Sequence, residues 1–198
     1  MTTEFRKKSS KIGRADRRND FGGRLHQRKE KKMKEFEFRD ILPEETEQAI
    51  KIEKICFPPN EACSPKSMRE RIENASETFL VAVDKETGKI AGFLNGVATK
   101  EETFRDEFFT DITLYDPSGE NIMLLGLDVL PEYRRQGLAR EIMNHYVERE
   151  QSKGRKCLHL TCLDQKVEMY KKMGYTDDGI SGSSWGGEEW HDMSRKIR

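Results

Sequence analysis

The chain has 198 residues, of which 34% are hydrophobic and 36% are charged, and its formal net charge is zero. This length predicts one domain plus an extension. No apolar run approaches the roughly 20 residues of a membrane span, so we expect no membrane partner. Residues 1–32 contain twelve Lys and Arg against four Asp and Glu, a net +8, so residues 33–198 carry −8.

The cysteines and histidines do not form the patterns of metal sites. Cys56, Cys63, Cys157 and Cys162 lack C-x-x-C spacing, and no histidines stand at metal-ligand offsets. We therefore expect no metal, and free or buried thiols in a reducing compartment. Because residues 1–32 also lack the apolar segment of a secretory signal peptide, the sequence predicts a cytoplasmic protein.

Residues 1–32 combine high charge with isolated apolar side chains, a composition that cannot bury enough surface to fold. They predict a basic, disordered extension before a folded domain at 33–198. A nucleic-acid-binding arm is one interpretation. A tail without a specific partner, or a true start at Met33, is favoured, so nucleic acid is not an expected partner.

In residues 33–198, alternating apolar positions predict seven strands, and apolar stripes at helical spacing predict four helices. Residues 100–120 predict a loop with a helical piece. In chain order the elements are a strand from Phe36, helices from Pro43 to Phe57 and from Pro65 to Ala75, strands at 77–83, 90–98 and 121–130, a helix from Ala139 towards Gly154, a strand at 157–163, a helix from Asp164 to Gly174, and strands at 175–181 and 188–197.

The connection between the strand at 121–130 and the following helix reads Arg134-x-x-Gly137-x-Ala139. The first N–H groups of a helix have no partner within the helix and carry partial positive charge, so they bind phosphates. Gly137 lets the backbone approach a phosphate closely, and Arg135 and Arg140 add positive charge. The pattern predicts a diphosphate-binding turn that is neither a P-loop nor a dinucleotide fingerprint.

This turn resembles the acetyl-CoA signature Q/R-x-x-G-x-G/A of the GCN5-related N-acetyltransferases (GNATs), and the resemblance covers about residues 36–197. It implies the GNAT fold, of class α/β (α+β), with a central mixed, mostly antiparallel sheet and helices on both faces. It also implies acetyl-CoA as co-substrate. The implied contacts are the backbone of Leu127, Asp128 and Val129 for the pantetheine arm, and Arg134, Arg135, Gln136, Gly137, Leu138, Ala139 and Arg140 for the diphosphate.

A second motif, Met169-Tyr170 followed by Gly174-Tyr175, resembles the family segment in which a tyrosine reaches the thioester sulfur. The resemblance implies that Tyr170 is the general acid that protonates the departing thiolate. A tyrosine that only packs beside Val167 is the structural alternative.

Two further stretches, Cys56 to Ser64 and Gly186 to Met193, are similar to the arylalkylamine N-acetyltransferases and their bacterial relatives. This similarity implies an amine bound between the two stretches. The histidines that act as the base in vertebrate members are replaced here by Met123 and Leu125, and Glu61 is the candidate base. Further possible bases are His159, Asp111, Asp116 and His191. The expected substrate-binding residues are Phe57, Leu125, Thr161 and Trp190.

The resemblance therefore predicts an acetyl-CoA-dependent N-acetyltransferase that transfers acetyl directly to the primary amine of a small molecule, with arylalkylamines among the candidates. The expected assembly is a monomer or a homodimer. Three alternatives stay open: a protein or peptide N-acetyltransferase on the same fold, a non-catalytic CoA-binding regulatory module, and an enzyme that transfers a different acyl group.

We predict that deleting residues 1–32 leaves the unfolding temperature and the rate of amine acetylation unchanged, because this segment lacks the apolar surface to dock on a folded body. Calorimetry and an acetylation assay on the full chain and on residues 33–198 test this. A large drop in either quantity would show that the segment belongs to the folded body.

Overall fold

The computed structural model describes residues 34–198, so the predicted extension and Met33 lie outside the described residues. The described part folds as one seven-stranded sheet packed with four α-helices. The strands are β1 (Phe36–Asp40), β2 (Phe79–Asp84), β3 (Lys89–Thr99), β4 (Asn121–Val129), β5 (Cys157–Cys162), β6 (Thr176–Ile180) and β7 (His191–Lys196). The helices are α1 (Thr46–Cys56), α2 (Pro65–Ala75), α3 (Leu138–Ser152) and α4 (Asp164–Lys171).

The strands lie in the order β1-β2-β3-β4-β5-β7-β6. All neighbours are antiparallel except β4 and β5, which are parallel. Helices α1 and α2 pack on one face of the sheet, against Val81 and Phe93 among others. Helices α3 and α4 pack on the other face, where α3 lies against β2, β3 and β4 and α4 lies against β6 and β7. The predicted fold class and the predicted order of elements are confirmed.

Local sequence signals account for the helix positions. The Ser64 hydroxyl accepts a hydrogen bond of 3.0 Å from the backbone N–H of Ser67 and caps α2, and Pro65 occupies the first helical position. In α3, a stripe that includes Ile142 and Tyr146 is buried against the sheet. None of the helices in residues 34–198 is both long and apolar enough to cross a membrane. All four cysteines are free thiols.

Several predicted elements differ from the structure in their bounds or type, and three of them illustrate this. β2 begins at Phe79 because residues 76–78 form a 3-10 turn, in which the Thr78 hydroxyl lies 2.6 Å from the carbonyl oxygen of Gly96. β7 begins at His191 and not at Glu188, after a second 3-10 turn at residues 185–187. The predicted helical piece within residues 100–120 is two 3-10 turns, at 106–109 and 112–114.

The feature that positions the site is an irregularity in the middle of β4. Asn95 of β3 pairs with Gly126 and Gly96 pairs with Leu124, so Leu125 is an extra residue that faces no partner on β3. A side chain at Gly96 would place its Cβ 2.7 Å from the Met123 carbonyl oxygen, so the bulge requires glycine there. On its other edge, β4 pairs with β5 only from Asn121 to Met123. The two strands separate beyond that point.

Candidate active site

A cleft of about 510 Å³ lies where β4 and β5 separate, between the loop that joins α1 to α2 and the loop that joins β6 to β7. It contains most of the side chains that the sequence predicts for the site. Those that line the cleft are Phe57, Glu61, Leu125, Leu127, Val129, Arg134, Ala139, Thr161, Tyr170 and Trp190. Those that do not line it are Asp128, Arg135, Gln136, Gly137, Leu138 and Arg140.

The unpaired edge of β4 presents backbone groups to the cleft. The N–H of Leu130 bonds to the carbonyl of Ala91 on β3, at 3.0 Å. Because antiparallel pairs alternate, Leu127 and Val129 then direct their N–H and C=O groups away from β3, towards the open edge. The backbone of Asp128, which was expected to contact the pantetheine arm, faces β3 instead of the open edge. The Asp128 side chain is buried on the α1/α2 face of the sheet.

The turn before α3 presents backbone N–H groups to solvent. Gly137 precedes the helix in a left-handed conformation, with φ of 91°, and Arg135 is also left-handed, with φ of 58°. The N–H groups of Gly137, Leu138 and Ala139 form no well-aligned hydrogen bond with a described residue. Such a concave run of free N–H groups at a helix start binds anions.

Basic side chains surround this turn. Arg135 and Arg140 are exposed, and Gln136 donates a hydrogen bond to a backbone carbonyl of its own turn. The Nε of Arg134 donates a 2.8 Å hydrogen bond to the carbonyl of Val129, which places its guanidinium at the open edge of β4. The end of the cleft near α3 is therefore positively charged.

Tyr170, on α4, lines the cleft and is partly buried. Its ring packs edge-on against Tyr175, with 5.6 Å between ring centroids, and its hydroxyl forms no hydrogen bond with another described residue. Burial, followed by the nearby Cys162 and Asp128, raises the pKa of the Tyr170 hydroxyl. The hydroxyl therefore stays protonated at neutral pH, as a proton donor must.

The acceptor end of the cleft is covered by contacts between its two loops, which we call the roof and define as Asn60, Glu61, Trp185 and Gly186. Asn60 Nδ2 donates to the Gly186 carbonyl, and Trp185 Nε1 donates to the Glu61 carbonyl, both at 2.9 Å. Trp185 also stacks on Phe109, with 4.7 Å between ring centroids. The two loops are thus joined across the cleft.

The candidate bases occupy different environments. Glu61 lines the cleft, and partial burial, followed by the Glu188 carboxylate, raises its pKa. The other four candidates lie outside the cleft lining. Burial lowers the pKa of His159. Hydrogen bonds to Asp111 and Asp116, from Thr113 and Ser118 respectively, lower the pKa of each carboxyl, and His191 bonds to Asp177.

Glu53, Phe109 and Trp185 are among the cleft residues that sequence reasoning missed. The sequence does mark Glu53 as unusual, because a Glu four residues after Ala49 interrupts the apolar stripe of α1. No sequence pattern marks Phe109 or Trp185, because each lies in a loop whose path places it at the cleft. No group of three His, Cys, Asp or Glu side chains in residues 34–198 is placed to hold a metal ion.

The family model described as "Acetyltransferase (GNAT) family" matches residues 44–175, which is two thirds of the chain. The chain belongs to the GNAT acetyltransferase family. It is therefore an acyltransferase of the N-acetyltransferase type. No curated protein is significantly similar to it in sequence.

Solved GNAT structures share its fold at low identity. A GphF GNAT-like decarboxylase in complex with isobutyryl-CoA is 16% identical, with a TM-score of 0.70, over 82% of this chain and 100% of that chain. The ribosomal-protein-S18-alanine N-acetyltransferase from Escherichia coli is 18% identical, with a TM-score of 0.60, over 82% of this chain and 94% of that chain. Nourseothricin acetyltransferase is 18% identical, with a TM-score of 0.52, over 82% and 99%.

We predict that Gly137→Glu weakens binding of acetyl-CoA at least tenfold, a loss of about 1.4 kcal/mol or more. The substitution places a side chain and a negative charge where the free N–H groups would meet the diphosphate. Isothermal titration calorimetry measures the dissociation constant.

Gly88→Glu is the matched control. Gly88 also has a positive φ, of 68°, and lies in open space in the turn between β2 and β3. Both variants then carry the same added charge. Each also places a non-glycine residue in a left-handed conformation, which destabilises the fold by a similar amount, about 1–2 kcal/mol. Equal affinity for acetyl-CoA in the two folded variants would contradict the assignment of the turn.

Proposed function

We propose that this GNAT domain transfers the acetyl group of acetyl-CoA directly to the primary amine of a small molecule. The observation that carries the proposal is the roof, whose two hydrogen bonds join the loops over the acceptor end of the cleft. A peptide chain would need these contacts to break. The volume of about 510 Å³ lies within the range of small-molecule sites, about 300–1,000 Å³.

The lining of the acceptor end favours an aromatic amine that carries a positive charge. Phe57, Phe109 and Trp190 supply apolar rings, and Glu53 and Glu61 supply carboxyls. An alkylammonium, whose pKa is about 10 as in lysine, gains from the acidic side chains, while an aryl group gains from the rings. Arylalkylamines, the branch that the loop segments resemble, combine both groups.

On the donor side, the open edge of β4 supports binding of the pantetheine arm. The N–H and C=O of Leu127 and the N–H of Val129 can pair with its amides, as an added strand would. The free N–H groups of the turn before α3 then hold the diphosphate. A backbone N–H near Leu127 polarises the thioester carbonyl and stabilises the negative charge that develops on its oxygen.

The chemistry then needs one proton acceptor and one proton donor. The neutral amine attacks the acetyl carbon, the C–S bond breaks, and the departing thiolate takes a proton. We assign the donor role to Tyr170, because this residue lines the cleft and its hydroxyl stays protonated. Glu61 is the proton acceptor that the resemblance implies.

A substrate panel tests the proposed function. We expect turnover with 2-phenylethylamine, tyramine and related primary amines, and at least tenfold lower kcat/KM with peptides that carry a free N-terminal amine. Thiol release from acetyl-CoA, with isobutyryl-CoA as the alternative donor, provides the readout. Faster transfer to peptides would indicate a protein N-acetyltransferase, and a preference for isobutyryl-CoA would indicate a different acyl group.

We predict that Tyr170→Phe lowers kcat by roughly 10²–10⁴-fold while the affinity for acetyl-CoA stays the same, since only the proton donor is removed. Tyr175→Phe is the matched control, because Tyr175 packs against the same ring and its hydroxyl bonds to Met143 instead of facing the cleft. Steady-state kinetics and melting temperatures compare the variants. A folded Tyr170→Phe enzyme with normal kcat, when chemistry is rate-limiting, would remove Tyr170 from the mechanism.

A further inference from the structure

Two buried carboxyls, those of Glu53 and Asp128, lie behind the bulge of β4, and the proposed function gives neither of them a part in proton transfer. Asp128 is fully buried, and no described hydrogen-bond donor reaches either of its side-chain oxygens. Glu53, on α1, is 4% exposed; its Oε1 accepts a 2.7 Å hydrogen bond from the N–H of Cys63, and its Oε2 has no donor. Three carboxyl oxygens are thus buried without a donor among the described residues.

Gly126 shows how closely these carboxyls converge. A Cβ built on Gly126 would lie 3.2 Å from Asp128 Oδ2 and 3.7 Å from Glu53 Oε2. Both carboxyls therefore approach the same point beside Gly126. Two ionised carboxylates can only accept hydrogen bonds and repel one another, so this arrangement needs a proton between them.

The surrounding groups do not neutralise the pair. The buried guanidinium of Arg71, from α2, donates to Asn95 Oδ1 at 3.1 Å and to the Phe109 carbonyl at 2.8 Å, and it forms no ion pair with either carboxyl. The other titratable groups nearby are the thiols of Cys56 and Cys63, the guanidinium of Arg134 and, across the cleft, the hydroxyl of Tyr170.

The proton belongs on Asp128. Burial, followed by the Glu53 carboxylate, raises the pKa of Asp128 well above its ordinary value, and this effect outweighs the lowering by Cys56 and Arg71. Burial also raises the pKa of Glu53, although the N–H of Cys63, Arg71 and the hydrogen bond from Asp128 oppose this effect. Glu53 is therefore the member of the pair that ionises first, and it is the one that lines the cleft.

We propose that Glu53 accepts the proton of the incoming ammonium, directly or through one water, and that a protonated Asp128 positions it by donating a hydrogen bond. This inference rests on the proposed function. The ammonium gives one proton to Glu53, and the freed lone pair attacks the acetyl carbon. The C–S bond breaks, and the sulfur takes the Tyr170 proton. The second proton leaving the nitrogen restores Tyr170, and Glu53 releases its proton to solvent.

Two acceptors of similar size separate this role from a structural one. 2-Phenylethylamine arrives protonated at pH 7, whereas O-benzylhydroxylamine, an alkoxyamine of much lower basicity, arrives neutral. Glu53→Gln keeps the oxygen that binds the Cys63 N–H and loses the base. We expect the kcat/KM ratio of the first acceptor to the second to fall about 100-fold or more in this variant.

Other results of the same assay overturn the proposal. An equal loss for both acceptors in Glu53→Gln, with an unchanged ratio, would indicate a structural role. A changed ratio in Glu61→Gln, but not in Glu53→Gln, would assign the base to Glu61. If the wild-type enzyme acetylates neither acceptor, the proposed function fails for arylalkylamines, and the infrared experiment below still decides the state of the pair.

Asp128 is tested by the pH dependence of kcat/KM for 2-phenylethylamine. The rate falls as the pH drops through the pKa of Glu53, because only the carboxylate accepts a proton. Asp128→Leu removes the hydrogen-bond donor that stabilises the Glu53 carboxylate, so the pKa of Glu53 rises. The acidic side of the pH profile, where the rate falls, then moves to higher pH. Asp128→Asn keeps a donor, so the acidic side of the profile stays closer to that of the wild type. The same shift in both variants would overturn the positioning role.

Infrared spectroscopy of the free enzyme needs no acceptor. At pH 7 we expect the C=O stretch of one protonated carboxyl in the wild type, lost in Asp128→Asn and kept in Glu53→Gln. A wild-type spectrum without that band would show both carboxyls ionised and would overturn the proposal. Melting temperatures accompany each variant, so that any loss of folding is measured separately.

Discussion

The separation of β4 from β5 is the constraint on which the rest of the site depends. Parallel pairing stops at Met123, and the extra residue Leu125 shifts the register of β4 against β3. A regular strand would continue both ladders, and its edge would be fully paired. Because pairing stops here, the backbone groups of Leu127 and the N–H of Val129 are left for a ligand, while the Val129 carbonyl accepts a hydrogen bond from Arg134. The space between the strands becomes the cleft.

Charge is divided along this cleft in a way that suits a two-substrate reaction. Arg134 and Lys166 line the end near α3 and α4, beside the free N–H groups of the turn. Glu53 and Glu61 line the opposite end. An anionic thioester and a cationic amine would each meet the opposite charge, and Tyr170 lies in the wall between them. Net charge alone, which is zero for the whole chain, does not reveal this division.

Local pattern was sufficient to predict the fold, and it also led to the proposal for the donor side. The stripe of α3 and the spacing of Gly137 and Ala139 predicted a helix that starts at an anion site, and the order of elements followed from periodicity. The roof could not be predicted in this way, because the Trp185–Glu61 hydrogen bond joins residues 124 apart in sequence. The side chain of Asp128 faces the carboxyl of Glu53 only through the packing of α1 on the sheet, which no local pattern encodes.

The central claim, that the open edge of β4 and the turn before α3 together bind the thioester, is tested most directly by amide NMR during a titration with CoA. The account predicts that the largest shifts occur at the N–H groups of Leu127 and Val129 and of Gly137 to Ala139. Amides of the paired strands β1 and β2 would stay in place. Shifts confined to other parts of the sheet, or saturable binding without a change at these amides, would contradict it.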